Sequence, residues 1–391
     1  MRQYSNRDEL TSAKILVPNG NDGTLETRNR VLERRHSTHV LNLTIAPTLA
    51  CNFGCAYCFQ RLLPKYTMTS QTEDGLLRFI KDQGRKAKLL QITWFGGEPL
   101  LALGRIKSIC KRIRKETGLP IQSGVVTNGY LLDGPTATLL RDLGVSFYQV
   151  TLDGQENTHD SRRPLHDGRG TFTTIVRNVA QLLELDRTAT VAIRVNIDKE
   201  NSEEYHSLYT YLLREFDSKR VRIYPGFVDN YTFGCTSVES CTLDRNARAR
   251  FCLDQYYKYG IYSDWFYPRV SYENCMARAV NGFVVGPRGD LYKCLAVIGV
   301  EQLRIGNVNN HGNYISNEEL MAQFLEGDDY LNSARCQRCV LFPVCDGGCP
   351  YLKLKERILG EPHETCIIAK GHLEDFLDAH IDSKERRNGE A

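Results

Sequence analysis

Three cysteines crowd into one short stretch, CNFGCAYCFQ: Cys51, Cys55 and Cys58. Thiolates are soft ligands, and groups of them select zinc, copper(I) or iron–sulfur. A structural zinc site wants four ligands and usually pairs two CxxC knuckles, so three thiols on one loop suit zinc poorly. A [4Fe–4S] cluster held by three cysteines leaves one iron open for a substrate or cofactor. A second concentration lies downstream. Cys275 is followed by Gly289-x4-Cys294, then by CQRCVLFPVCDGGC, which reads Cys336-x2-Cys339-x5-Cys345-x3-Cys349, and then by Cys366. Zinc is the competing reading for this half, because CxxC followed by CxxxC can hold it.

The chain that carries these thiols has the composition of a globular protein. It has 391 residues, 41% of them hydrophobic, enough for a sizeable core and two or three domains. Its 50 Lys and Arg stand against 47 Asp and Glu, a net charge of +3, too small to argue for nucleic acid or an anionic membrane as a partner. No apolar run approaches the roughly 20 residues of a membrane span. MRQYSNRDELTSAK has no apolar signal core, so the expected location is cytoplasmic. There structural disulfides are disfavoured, and the fourteen cysteines point to metal or redox use.

Short strand-like runs alternate with helical ones through the first half, the pattern of βα units on a parallel sheet. Strands are expected at 39–47, 89–95, 121–127, 145–153, 190–198 and 219–225, with helices over 69–87, 101–118 and 171–185 between them. Right-handed crossovers curl six such units into a partial (β/α)6 barrel of the TIM type, with ligand sites on the loops after the strands. The fold class expected is α/β, this barrel followed by a cysteine-rich C-terminal domain. The expected divisions are a short N-terminal extension (1–38), the barrel (39–226), a bridging region (227–269), the cysteine-rich domain (270–380) and a charged tail (381–391).

The cysteine trio ends the first strand, and Phe95-Gly96-Gly97-Glu98-Pro99 follows the second. In this order the two resemble the radical S-adenosylmethionine enzymes, where the open iron is chelated by the amino and carboxylate groups of that cofactor. Phe59, the aromatic residue just after the trio, fits the same pattern. The resemblance implies that Gly96, Gly97 and Glu98 bind the methionine amino group. A plain strand-to-helix turn is the alternative use of GGEP. Thr127-Asn128-Gly129, Thr151-Leu152-Asp153-Gly154 and HDSRRP look like family segments lining the cofactor cleft. By resemblance Thr151 and Arg163 contact the cofactor and Asn128 and Asn196 reach its ribose, although Asn and Thr at strand ends also serve as turn and capping residues.

The downstream cysteines match the SPASM extension of radical enzymes that modify peptides and proteins, so the resemblance runs from about residue 39 to 370. It implies three [4Fe–4S] clusters. One sits on Cys51, Cys55 and Cys58. A distal auxiliary one sits on Cys336, Cys339, Cys345 and Cys366, and a nearer auxiliary one on Cys275, Cys294 and Cys349. Cys235, Cys241 and Cys252 are candidates for the fourth ligand of the nearer cluster, and Cys110 reads as a small core residue.

The activity implied is that of a peptide maturase: reductive cleavage of S-adenosylmethionine yields a 5′-deoxyadenosyl radical that takes a hydrogen from the substrate. Formylglycine-forming members usually carry Asp directly after Gly-x4-Cys, and here that place is Leu295. Crosslinking of a ribosomally made precursor peptide, through a thioether or carbon–carbon bond, is therefore the expected reaction. Sulfatase-type oxidation of Cys or Ser is the alternative, and a non-catalytic electron-transfer protein is a third reading. The partners implied are a precursor peptide and a reductant such as flavodoxin or ferredoxin; with only about 38 residues before the first strand, where many crosslinking members carry a winged-helix recognition domain, either a separate peptide-recognition protein is expected or the leader docks elsewhere. The Tyr-rich stretch 229–267, with YTFGC and YSDWFYP at its borders, is a candidate substrate wall or else a packed linker.

Overall fold

A computed structural model describes residues 23–216, 219–229, 241–267 and 275–389. Six parallel strands follow one another in space as in sequence: β1 (Val40–Thr48), β2 (Leu89–Gly96), β3 (Ile121–Thr127), β4 (Val145–Thr151), β5 (Thr190–Ile197) and β6 (Val221–Phe227). All six lie within about two residues of the expected positions. β4 stops short at Thr151 because Asp153 and Gly154 turn the chain, Gly154 at φ 157°.

Helices Ser70–Gln83, Leu103–Glu116, Gly134–Asp142, Glu156–Arg162, Phe172–Leu185 and Tyr205–Phe216 return the chain between the strands. Their starts are written locally. Thr69 accepts from the Thr72 N–H and Asp133 from the Thr136 N–H, satisfying donors that a helix leaves unpaired in its first turn. Each helix turns an apolar face inward. Ile106, Ile109 and Ile113 from one, and Ile175, Val179 and Leu182 from another, pack with Leu41, Leu43, Ile92 and Trp94 of the strands in one continuous core.

The sheet continues past β6 in sequence but from its other side. β7 (Gly282–Val285) pairs parallel with β1, Asn42 opposite Gly282. β8 (Asp290–Tyr292) and β9 (Gly306–Asn307) add antiparallel, giving the order β6-β5-β4-β3-β2-β1-β7-β8-β9. The cysteine-rich half is thus welded to the barrel through β1, the strand that ends in the first cysteine loop. Residues 381–387, expected as part of a charged tail, continue the helix Leu373–Gly389. Asp382 accepts from the Tyr256 hydroxyl at 2.6 Å, and Arg387 lies over the Tyr262 ring. No described helix is long and apolar enough to cross a membrane.

Candidate active site

The loop carrying Cys51, Cys55 and Cys58 leaves the end of β1 and is pinned from three sides. The Gly54 N–H donates to the Pro164 carbonyl at 2.8 Å, His166 Nε2 lies 3.0 Å from the Cys51 carbonyl, and Asn128 Nδ2 donates to Asn52 Oδ1 at 2.8 Å. From the β2 side, Gly97 N–H donates to Thr48 O at 3.2 Å and Glu98 N–H to Ala50 O at 2.8 Å. The two glycines make this approach feasible. A Cβ on Gly96, at φ 131°, would meet the Thr48 carbonyl, and one on Gly97 would meet the carbonyls of Leu49 and Ala50. GGEP thus packs its main chain on the three residues preceding Cys51.

Glu98 is fully buried. Its Oε1 accepts from the Leu100 N–H at 3.0 Å and the Thr127 hydroxyl at 2.8 Å, and its Oε2 accepts from the Asn128 N–H at 2.7 Å. Burial pushes its pKa up, against the pull of these donors. Three donors do not exhaust a carboxylate, and Oε2 retains capacity for another. Asn128, expected toward a ribose, uses its Oδ1 on the Tyr130 N–H and its Nδ2 on Asn52.

Tyr57, between Cys55 and Cys58, organises the opposite wall. Its hydroxyl donates to Asp153, receives Arg163 Nη1 at 2.6 Å and receives Asn196 Nδ2 at 3.2 Å. Asp153, fully buried, also accepts the Asn196 N–H at 2.9 Å, and Arg163 stands 3.8 Å from it with its Nε buried and unpartnered. Arg163 and Asn196 therefore meet at one hydroxyl. Tyr57 and Asp153 were not singled out from the sequence. The signal available was position, an aromatic residue inside the cysteine trio and an acid directly after a strand.

Burial pushes Cys51 up to about 11 and raises Cys55, and each feels the neighbouring trio members. Such a buried thiolate is costly unless something positive binds it. In the second half Cys336, Cys339, Cys345 and Cys366 line a single cavity of about 560 Å³, where Lys370 Nζ lies 3.2 Å from Cys366 Sγ. Cys294 and Cys349 are both raised by burial, Cys349 to about 11; Cys294 is raised further by Cys349 and Cys275, and Cys349 by Cys275. Among the described residues no three His, Cys, Asp or Glu side chains suit a single metal ion.

None of the described cysteines is in a disulfide. Cys241 points toward Glu200 at 3.6 Å, Cys252 is buried and pushed up to about 12, Cys110 is buried in its helix, and Cys235 lies outside the described residues.

The Radical SAM superfamily model matches residues 45–212, the span from β1 to the helix before β6. Residues 45–212 are a Radical SAM domain. A serine-type anaerobic sulfatase-maturating enzyme of Klebsiella aerogenes is 26% identical over 340 residues, covering 80% of this chain and 79% of that protein. The sporulation killing factor maturation protein SkfB of Bacillus subtilis is 26% identical over 198 residues, 51% of this chain and 45% of that one. Among solved structures, anSMEcpe with bound AdoMet and a Kp18Cys peptide superposes with a TM-score of 0.69 at 18% identity, covering 90% of this chain and 99% of the other. Streptococcus suis SuiB bound to the precursor peptide SuiA gives 0.58 at 16% identity over 90% and 84%. These likenesses bear out the α/β fold with its parallel barrel sheet. A radical SAM protein is an enzyme whose resident groups are S-adenosylmethionine and a [4Fe–4S] cluster.

Proposed function

We propose that this radical SAM enzyme is a maturase of peptides, installing an intramolecular thioether or carbon–carbon crosslink in a ribosomally made precursor. When bound, the cofactor and its cluster supply the one-electron cleavage that starts hydrogen abstraction. The chain's own residues bind and orient. Cys51, Cys55 and Cys58 hold the cluster. Glu98, with acceptor capacity left on Oε2, takes the cofactor ammonium beside Gly96 and Gly97. Arg163 and Thr151 take its other polar end, while Asn128 and Asn196, whose side chains are engaged with Asn52, Tyr130, Tyr57 and Arg194, brace the cleft wall and do not reach the sugar. Cys336, Cys339, Cys345 and Cys366 hold a distal auxiliary [4Fe–4S] cluster, and Cys275, Cys294 and Cys349 a nearer one. A flavodoxin or ferredoxin supplies electrons, and a separate recognition protein presents the peptide.

The observation that carries crosslinking is Leu295. The position directly after Cys294 bears an aliphatic side chain, which cannot serve as the base that formylglycine formation uses there. The relatives from Klebsiella favour a second reading, oxidation of Cys or Ser in a sulfatase.

One experiment separates the two. Reconstituted without oxygen, the chain should bind ~12 iron atoms. It should then release 5′-deoxyadenosine with a co-encoded peptide and give a product lighter by two hydrogens per crosslink. An unmodified peptide, alongside conversion of a sulfatase-derived Cys or Ser peptide to an aldehyde, would establish the second reading.

A further inference from the structure

A cavity of about 730 Å³ runs along β6 beside Arg194 of β5 and is bordered by Ile261–Trp265 and by residues 344–348 and 367–369 of the cysteine-rich half. Three arginines face it. Arg248 is neutralised by Asp229 in a bidentate pair at 2.8 and 3.0 Å, and Arg222 by Asp264. Asp346, the third carboxylate on the wall, is itself not without a partner. Arg194 is different. Its Nε donates to Asn196 Oδ1 at 2.8 Å, and no carboxylate partner stands within reach of it among the described residues.

Arg194 is nonetheless held in place. Its side chain lies over Gly226 of β6, the register partner of Asn196, where a Cβ would meet the guanidinium, so the glycine provides the bed in which the side chain rests. In the register of the sheet Arg194 sits between Thr151 of β4 and Tyr224 of β6, and two residues before Asn196. The side chains of Arg194 and Asn196 thus share one face of β5, and Asn196 is tied to Tyr57 of the cluster loop. A guanidinium held through Nε on the wall of a cavity can offer its terminal nitrogens in the fork geometry in which arginine binds a carboxylate.

We propose that Arg194 receives a carboxylate of the peptide substrate, an Asp or Glu side chain or a C-terminal carboxylate next to the modified residue, and so sets acidic specificity for the site. This rests on the maturase reading and narrows its substrate class. The other source of a carboxylate is the methionine end of the cofactor, and the test has an arm for each.

Anaerobically reconstituted full-length enzyme, saturated with S-adenosylmethionine, is titrated calorimetrically with acetyl-Gly-Glu-Gly-amide, acetyl-Gly-Gln-Gly-amide and acetyl-Gly-Lys-Gly-amide. The expected result is binding of the Glu peptide about tenfold tighter than the Gln peptide, the size of one charge-assisted contact. Arg194→Gln should erase the difference, and Arg194→Glu should turn the preference toward the Lys peptide, both with unchanged iron content and cofactor affinity. Equal binding of the Glu and Gln peptides, no saturable binding of the Glu peptide, or a preference that survives in Arg194→Gln would overturn the proposal. So would a loss of S-adenosylmethionine affinity in Arg194→Gln, which would give the carboxylate to the cofactor. Cofactor cleavage and peptide mass are read separately, so failure of the maturase reading would show there and not in these affinities.

Discussion

Single side chains in the cofactor cleft are set by buried neighbours, and His159 shows it most directly. It is fully buried, its Nδ1 accepts the Asp153 N–H at 3.2 Å, and its Nε2 lies 3.1 Å from the Thr171 hydroxyl. The imidazole is therefore neutral with its proton on Nε2. Burial, and then the positive charges of Arg163 and Arg162, hold its pKa well below the ordinary 6.5. A depressed folded value means that the unfolded chain takes up the proton first. The stabilisation is complete above pH 6.5 and is lost as pH falls from there toward the folded value, with a slope of up to about 1.4 kcal/mol per pH unit. Urea midpoints measured from pH 8 to pH 5 should fall in the native chain below 6.5, and His159→Gln should flatten that fall at the expense of stability at pH 8. Parallel curves for the two proteins would show that His159 does not titrate on unfolding. Because the same ring holds Asp153, and Asp153 holds Tyr57, acid should reach the cleft through this contact.

Elements were legible in the sequence where periodicity spoke and illegible where a contact was made by main chain or by distant pairing. The six strands and the helices Ser70–Gln83, Leu103–Glu116 and Phe172–Leu185 follow from apolar spacing, because each buries one face or both against a neighbour. The cysteine groups were readable because ligand spacing is local, and the structure brings Cys336, Cys339 and Cys345 to one cavity with Cys366. β7 was not readable: it is four residues long, and its parallel partner lies about 240 positions upstream, so nothing local names it. Nor did the sequence disclose that Tyr57, inside the trio, is the hub joining Arg163, Asn196 and Asp153, since all three contacts join segments 96 to 139 residues apart. GGEP was recognised, but the force behind its glycines, the carbonyls of residues 48–50, appears only when β1 and β2 are paired. Gly97→Ala tests that force. Its methyl cannot fit without moving the backbone before Cys51, an overpacking cost of about 1–3 kcal/mol. The variant should lose about four irons from the trio while keeping the iron of the second half. Full iron content with unaltered stability would show that the turn has room.

At the scale of the whole molecule, the chain closes on itself through one buried ion pair. Arg35, at the end of helix Thr24–His36, and Asp329 of the C-terminal half are both almost fully buried, with Arg35 Nη1 2.7 Å and Nη2 3.3 Å from the two carboxylate oxygens. The Arg35 carbonyl accepts from the Val280 N–H just ahead of β7, and Arg28 donates to the Leu331 carbonyl, so the N-terminal helix is strapped across the region that carries Cys336 and Cys339. Burial alone would push the Asp329 carboxyl up, but Arg35 and the Leu331 N–H hold it below the usual range. Its share of stability is present above the ordinary carboxylate pKa and is lost only as strong acid is reached. Removing the carboxylate takes a counter-charge from a guanidinium that is almost fully buried. Asp329→Asn should therefore cost about 3–5 kcal/mol, whereas replacing both partners with apolar residues of similar volume, Arg35→Met with Asp329→Leu, should cost much less. If the pair serves only stability, the double variant will retain the iron of the second half and its turnover. If it also sets the register of the strap over the cysteine cavity, the double variant will be stable yet deficient in about four irons. Denaturation midpoints and iron content, measured together on the single and double variants, distinguish these. A single variant as stable as the native chain would mean that solvent reaches Arg35 and that the strap is held by the helix backbone instead.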